Sequence, residues 1–333
     1  MVRKIGDRRH FEQYVRNAGL GAVLAASSLG LSGFAEKRAE GGIVTSLGAV
    51  AAAEQRGGAA TVSQGGNLVW VERSEAGVPS SRPSGIAFNA GGRGHTLFAG
   101  HSAFDFQNPN FKIGTGSNFV TDPGQIFTAS SYRVFPGYTG TGSIGTAIDA
   151  AWLTFDVEIP NAPELVFASQ PLAPGQTVQL AGFGTLGVFN SEYLGQTGAA
   201  YSGQSSLTGS LLLGANPDWY SRVSINPFDP NGYRGAQFDS GGWVFGDENG
   251  TRVTYGMMTQ ASSSINGLAT QFVRFDQQNT AFQDFYSSNI TAVPEPSSLV
   301  SLAVASTVGL ALRSVRKRRS RCGSNQNANA LAQ

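Results

Sequence analysis

The segment Phe238-Asp239-Ser240-Gly241-Gly242-Trp243 decides how this chain is read. It sets a hydroxyl in a tight turn followed by two glycines, and a residue without a Cβ lets another backbone come close. From the composition of the 333 residues, 44 of them glycine, Asp-Ser-Gly-Gly is expected by chance on the order of 0.02 times. The tetrapeptide is therefore a signal.

Working outward, a serine becomes a nucleophile only beside a general base. The chain has three histidines. His10 lies in the basic N-terminal segment, His95 in a glycine-rich turn, and His101 at the end of the apolar run Thr96-Leu97-Phe98-Ala99-Gly100. A histidine at the mouth of a buried strand is held rigidly yet stays reachable, as a base must be. Alone it would more often be structural. Ile148-Asp149-Ala150-Ala151-Trp152-Leu153 adds a carboxylate at the head of an apolar strand, where it could be buried against an imidazole. The order His101, Asp149, Ser240, with gaps of 48 and 91 residues, separates this arrangement from the other chain orders in which such a triad occurs. Asp156 is a rival carboxylate whose spacing fits less well and which suits a solvated strand end.

Around these residues run many short apolar stretches with turn residues between them. Strands are expected over Asn67–Glu72, Ser84–Asn89, Thr96–Gly100, Tyr132–Phe135, Ala150–Phe155, Gln176–Gly182, Tyr220–Ile225, Gly242–Phe245, Arg252–Gln260 and Gln271–Phe275. Their brevity points to an all-β sandwich or barrel, and the lack of strand–helix alternation argues against α/β folds. Asp276–Tyr286, with Phe282 and Phe285 three apart, reads as a helix closing the barrel. No internal repeat is evident, which argues against a solenoid.

Three elements resemble those of chymotrypsin-like serine proteases: Phe98-Ala99-Gly100-His101, Asp149-Ala150-Ala151-Trp152-Leu153 and Phe238-Asp239-Ser240-Gly241-Gly242. The resemblance spans roughly 84–285 and implies two antiparallel six-stranded β-barrels with a C-terminal helix and an active site between the barrels. It implies a serine endopeptidase with Ser240 as nucleophile, His101 as base and Asp149 as its orienting partner, acting on protein or peptide substrates without a cofactor or metal. The backbone N–H groups of Phe238 and Ser240 would form the oxyanion hole. Phe238 stands where the family has glycine, Trp243 where it has proline, and Ser102 where a cysteine often follows the histidine. Arg234, six residues before Ser240, falls where the family places the floor of its primary specificity pocket; the alternative is a surface arginine. In the family the acid before the serine pairs with a freed N-terminal Ile-Val. Asp239 is present here, but Gly42-Ile43-Val44 fits that role poorly by position and context.

Both ends read as addresses. Arg3, Lys4, Arg8, Arg9 and Arg16 precede a small-residue apolar stretch from Ala18 to Ala35, an export signal over 1–35. Arg8-Arg9 loosely resembles a twin-arginine signal, with an ordinary positive n-region as the alternative. At the other end Pro294-Glu295-Pro296 is followed by an apolar run from Leu299 to Leu312 and a basic cluster ending at Arg321. That run spans roughly 21 Å, short of the ~30 Å hydrocarbon core, so it suits a transient membrane anchor. Motif, short span and basic stop resemble the PEP-CTERM sorting signal, which implies an exosortase-type processing partner in a Gram-negative envelope; a weak permanent anchor is the alternative. The expected organisation is 1–35 export signal, 36–80 N-terminal segment with the first strand or strands, 81–170 first barrel, 171–288 second barrel and C-terminal helix, and 293–321 sorting tail.

The whole chain has a formal charge of +1, but between Glu36 and Val293 twelve basic residues stand against nineteen acidic ones, a balance of −7. Nucleic acid is not an expected partner, since phosphate binding needs a concentrated positive face. The single cysteine, Cys322, lies beyond the apolar tail, so a core of this size must be held by packing. Two function classes follow: an exported endopeptidase, or a catalytically weak protease-fold protein serving as an envelope or matrix binding component. The intact triad favours the first; Phe238 and Trp243 favour the second.

Overall fold

The computed structural model describes residues 42–75, 78–104, 109–140, 146–189, 191, 193–207, 215–235, 239–261 and 268–291. The expected export signal, Phe238 and the expected sorting tail with Pro294, Glu295 and Pro296 lie outside them. In chain order the strands are β1 (Gly42–Val44), β2 (Leu68–Glu75), β3 (Val78–Ser81), β4 (Ser84–Ala90), β5 (Arg93–Phe98), β6 (Asn110–Gly114), β7 (Ile126–Thr128), β8 (Ser131–Val134), β9 (Ala151–Thr154), β10 (Thr177–Gly182), β11 (Leu186–Val188), β12 (Tyr193–Gly195), β13 (Tyr201–Leu207), β14 (Tyr220–Ser224), β15 (Tyr233–Arg234), β16 (Trp243–Glu248), β17 (Thr251–Ala261) and β18 (Ala269–Arg274). The helices are α1 (Val50–Ala60) and α2 (Thr280–Thr291).

All ten strands expected from apolar runs are present, and in the central ones alternate residues serve two different cores. Leu68 and Trp70 of β2 join one cluster while Val69 and Val71 join another. The same alternation separates Trp152 from Ala151 and Leu153 on β9, as the two-residue period of a strand requires. The first half forms an antiparallel sheet in the order β7-β6-β2-β4-β5-β9-β8, with β3 paired to β2. Its ends meet through the two-residue link between β7 and β8: the Ala129 N–H donates to Phe111 O at 2.9 Å and the Ser130 N–H to Thr154 O at 2.8 Å. The sheet thus curls around its own core. The second half closes fully by strand pairing as β10-β13-β14-β18-β17-β16.

The cluster that takes Leu68 and Trp70 also joins the halves, with Phe88 and Trp152 on the same side and Ala181, Phe183, Trp243 and Phe275 on the other. Helix α2 seals it. Phe282 stacks on Phe275 with ring centroids 3.9 Å apart, and Phe285 meets Trp152 edge-on. Each such ring, fully buried, stabilises the fold by roughly 1.5–3 kcal/mol. The helix starts four residues later than the expected Asp276, because Asp276 turns its carboxylate onto Arg274 and the Gln278 N–H. Asn279 then caps the first turn, its Oδ1 accepting from the Phe282 N–H at 3.3 Å.

The N-terminal segment joins the second half. β1 lies between β11, parallel, and β15, antiparallel, with Val44 opposite Tyr233 and Ile43 opposite Arg234. α1 packs on β13 at Gly57, where a Cβ would overlap the backbone of Ala200 and Tyr201.

Candidate active site

His101 and Asp149 come together through β5 and β9. These strands pair from His95–Thr154 to Phe98–Ala151, so the residues just past the end of β5 face those just before β9. The chain leaves β5 in a 3-10 turn, Gly100–Ser102. Gly100 lies close against this corner, where a Cβ would stand 3.1 Å from Asp149 Oδ1 and 3.0 Å from Ala150 N. That closeness lets one carboxylate engage the histidine twice. Oδ1 accepts the His101 backbone N–H at 2.8 Å, and Oδ2 lies 2.7 Å from Nδ1. The Asp149 side chain is 6% exposed and that of His101 30%. Nδ1 is thus committed to the carboxylate. Asp156, the rival, is 74% exposed and lies 3.9 Å from Arg93.

The turn that carries Ser240 is placed by contacts spanning both halves. Ser84, at the start of β4, donates its N–H to the Ser240 carbonyl at 3.1 Å and its hydroxyl accepts the Phe183 N–H at 2.8 Å. Gly241 takes φ +88°, and a Cβ there would collide with the Ser84 carbonyl oxygen and stand 3.2 Å from Ala99 N. Ser240 therefore sits against the strand end that leads into His101. The turn is closed by Gly242 N–H to Asp239 O and by Gly241 N–H to Met258 O, both at 2.7 Å.

Asp239 is buried at 1% exposure. Its carboxylate accepts the Gly184 N–H at 2.8 Å and the Tyr233 hydroxyl at 2.9 Å. Gly182 and Gly184 make room, since a Cβ on either would overlap this carboxylate.

Arg234 is fully buried in β15, which overturns the reading of a surface arginine. The strand holding it is paired with β1 along one edge. Trp243 is also core: it stacks on Phe245 with centroids 3.9 Å apart and donates its indole N–H to Thr254 Oγ1 at 2.9 Å. Sequence reasoning missed Ser84, Tyr220 and Tyr233, none of which carries a motif.

No protein-family model matches the chain, and no curated protein matches it. What it shares with solved structures is the all-β fold of chymotrypsin-like serine proteases. Protease Anisep from Arthrobacter nicotinovorans aligns with a TM-score of 0.50 and 13% identity over 68% of this chain and 96% of that one. A thermostable serine protease, AL20, from an extremophilic microorganism aligns at 0.48 with 14% identity over 66% and 97%.

Proposed function

We propose that the protein is an exported serine endopeptidase acting through His101, Asp149 and Ser240. The observation that carries this reading is the double engagement of His101 by Asp149, which holds the imidazole in one orientation and one tautomer. Ser240 Oγ attacks the scissile carbonyl carbon while His101 Nε2 takes its proton. The tetrahedral intermediate collapses as the imidazolium returns that proton to the leaving amine, leaving an acyl-serine. Water, deprotonated by the same nitrogen, hydrolyses the ester and restores Ser240. Asp149 stabilises the imidazolium at both transfers. The N–H groups of Ser240 and Phe238 would bind the oxyanion, and Arg234 would influence the primary specificity pocket from beneath. Export by the N-terminal signal and sorting by the Pro294-Glu295-Pro296 tail complete the reading.

A fluorophosphonate probe tests it, because such probes react with a serine whose base and oxyanion donors are in place. The protein is expected to be labelled, with labelling lost in Ser240→Ala and in His101→Ala and undiminished in Phe238→Gly. A folded protein labelled only as Phe238→Gly would instead be the disabled binding component. Absence of labelling in both would remove the triad assignment.

A further inference from the structure

Tyr233 and Asp239 flank the segment that leads to the nucleophile, and the side-chain bond between them closes that segment on itself. The five residues between include Arg234 and Phe238. Tyr233 is packed and bonded on several sides. Its backbone is paired to Val44 of β1, its carbonyl accepts the Ser205 hydroxyl at 2.6 Å, and its Cβ rests where Gly203 leaves no side chain. It is fully buried. On the other side Asp239 is one peptide bond from Ser240, and its carbonyl accepts the Gly242 N–H that closes the turn. The hold on the Asp239 carboxylate therefore acts on the residue next to Ser240, inside the same turn.

Resting on the protease reading above, we infer that Tyr233 is a positioning residue: with the Gly184 N–H it holds Asp239, and through it the nucleophile turn, without a freed N-terminal ammonium. The chemistry suits the task. A carboxylate buried this deeply needs donors to offset its lost hydration. Burial, and then the neighbouring Asp239 charge, push the Tyr233 hydroxyl well above its ordinary range, so it remains a donor throughout the pH range of the reaction. Ile43 and Val44 are present and buried, but they act as a β-strand: their main chain pairs with β11 and β15. In this arrangement β1 fixes the backbone of Tyr233, and the hydroxyl of Tyr233 does the holding. The competence of Ser240 then does not depend on a cut before Gly42 or on the charge of whatever residue begins the mature chain.

The experiment measures fluorophosphonate labelling kinetics on the exported protein as isolated, resolving the saturating rate kinact from the half-saturation constant KI. Two changes are compared. One is Tyr233→Phe, which keeps the ring and removes the donor. The other is carbamylation with cyanate at neutral pH, which neutralises the α-amino group in preference to lysine because its pKa is lower. The expected result is an unchanged rate after carbamylation. For Tyr233→Phe, kinact should fall roughly ten- to hundredfold at constant KI, the scale of one lost hydrogen bond to a charged group. Loss of labelling on carbamylation would overturn the inference in favour of a terminal ammonium. Wild-type kinetics in a folded Tyr233→Phe would overturn it while leaving the protease reading intact. A fall carried by KI alone would move Tyr233 to the binding pocket and also overturn it. An unreactive wild type would remove the protease reading, and the inference with it.

Discussion

The hydroxyl of Tyr220, on β14 of the second half, accepts the backbone N–H of Asp149, in the first half, at 2.9 Å, and donates to Ala147 O at 3.2 Å. One buried side chain thereby fastens the carboxylate that orients His101 to the opposite half of the molecule. Burial, and then the charge of Asp149, push the Tyr220 hydroxyl well above its ordinary range, so it stays protonated and both bonds persist. Tyr220→Phe leaves the Asp149 N–H and the Ala147 carbonyl without this partner. The expected cost is about 1–3 kcal/mol of stability, read as a lower denaturant midpoint. The labelling rate should drop further than that of a surface control.

Asp149→Asn keeps the shape of the side chain but presents an amide to one of the two N–H groups it now accepts. The protein should fold, and turnover should fall by about four powers of ten as the histidine adopts the wrong tautomer, the magnitude known for the same change in a chymotrypsin-type triad. Asp156→Asn, on a carboxylate facing solvent, should leave turnover unchanged. Peptide hydrolysis by the two variants side by side assigns the acid.

Gly241→Ala is expected to disable the site with the rest of the fold intact. The φ of +88° disfavours any L side chain, and the new Cβ would run into the Ser84 carbonyl. Relief requires Ser240 to move, and a displacement of about 1 Å at a reacting atom costs on the order of a hundredfold in rate. Labelling kinetics beside a circular dichroism spectrum check both halves of this expectation.

His95 is buried between Phe88 and Trp152. The Trp152 indole N–H donates to its Nδ1 at 3.1 Å, and Nε2 lies 3.2 Å from Ala90 O, so the ring is neutral with its proton on Nε2. Burial lowers its pKa below the ordinary 6.5; the Ala90 carbonyl opposes this and Arg93 adds to it. The unfolded chain therefore binds a proton that the folded one refuses. This contribution to stability is fully present above about pH 6.5 and is lost as the pH falls below it. Unfolding midpoints measured from pH 7.5 to pH 5 should decline more steeply for the wild type than for His95→Gln, which cannot titrate.

How much was legible can be argued from individual elements. β2, β4 and β9 announced themselves because each feeds two cores and so is apolar on both faces. β13 did not: Tyr201–Leu207 is largely serine, glycine and glutamine, and its place comes from pairing with β10 and from Gly203 lying beneath Tyr233. β1, β11 and β12 are three residues each, too short to show a period. α1 was hidden by Gly57 and Gly58, which weaken helix propensity, although Gly57 lets the helix approach β13.

The order of His101, Asp149 and Ser240, the glycines after the serine and the apolar alternation around them are local properties of the chain, and they determined the all-β fold and the candidate triad. Only the tertiary structure decided what holds those residues. Tyr220 and Asp149 are 71 residues apart and Ser84 and Phe183 are 99 apart, while Tyr233, whose hydroxyl reaches Asp239, is paired with β1 from the far N-terminal side of the chain. A tyrosine or serine hydroxyl carries no sequence signal for its partner, since a hydrogen bond requires a separation near 3 Å that closure of both halves creates. The setting of Arg234 has the same origin, for the strand paired beside it brings Ile43 from nearly two hundred residues earlier, and no local pattern records a strand that arrives from so far away.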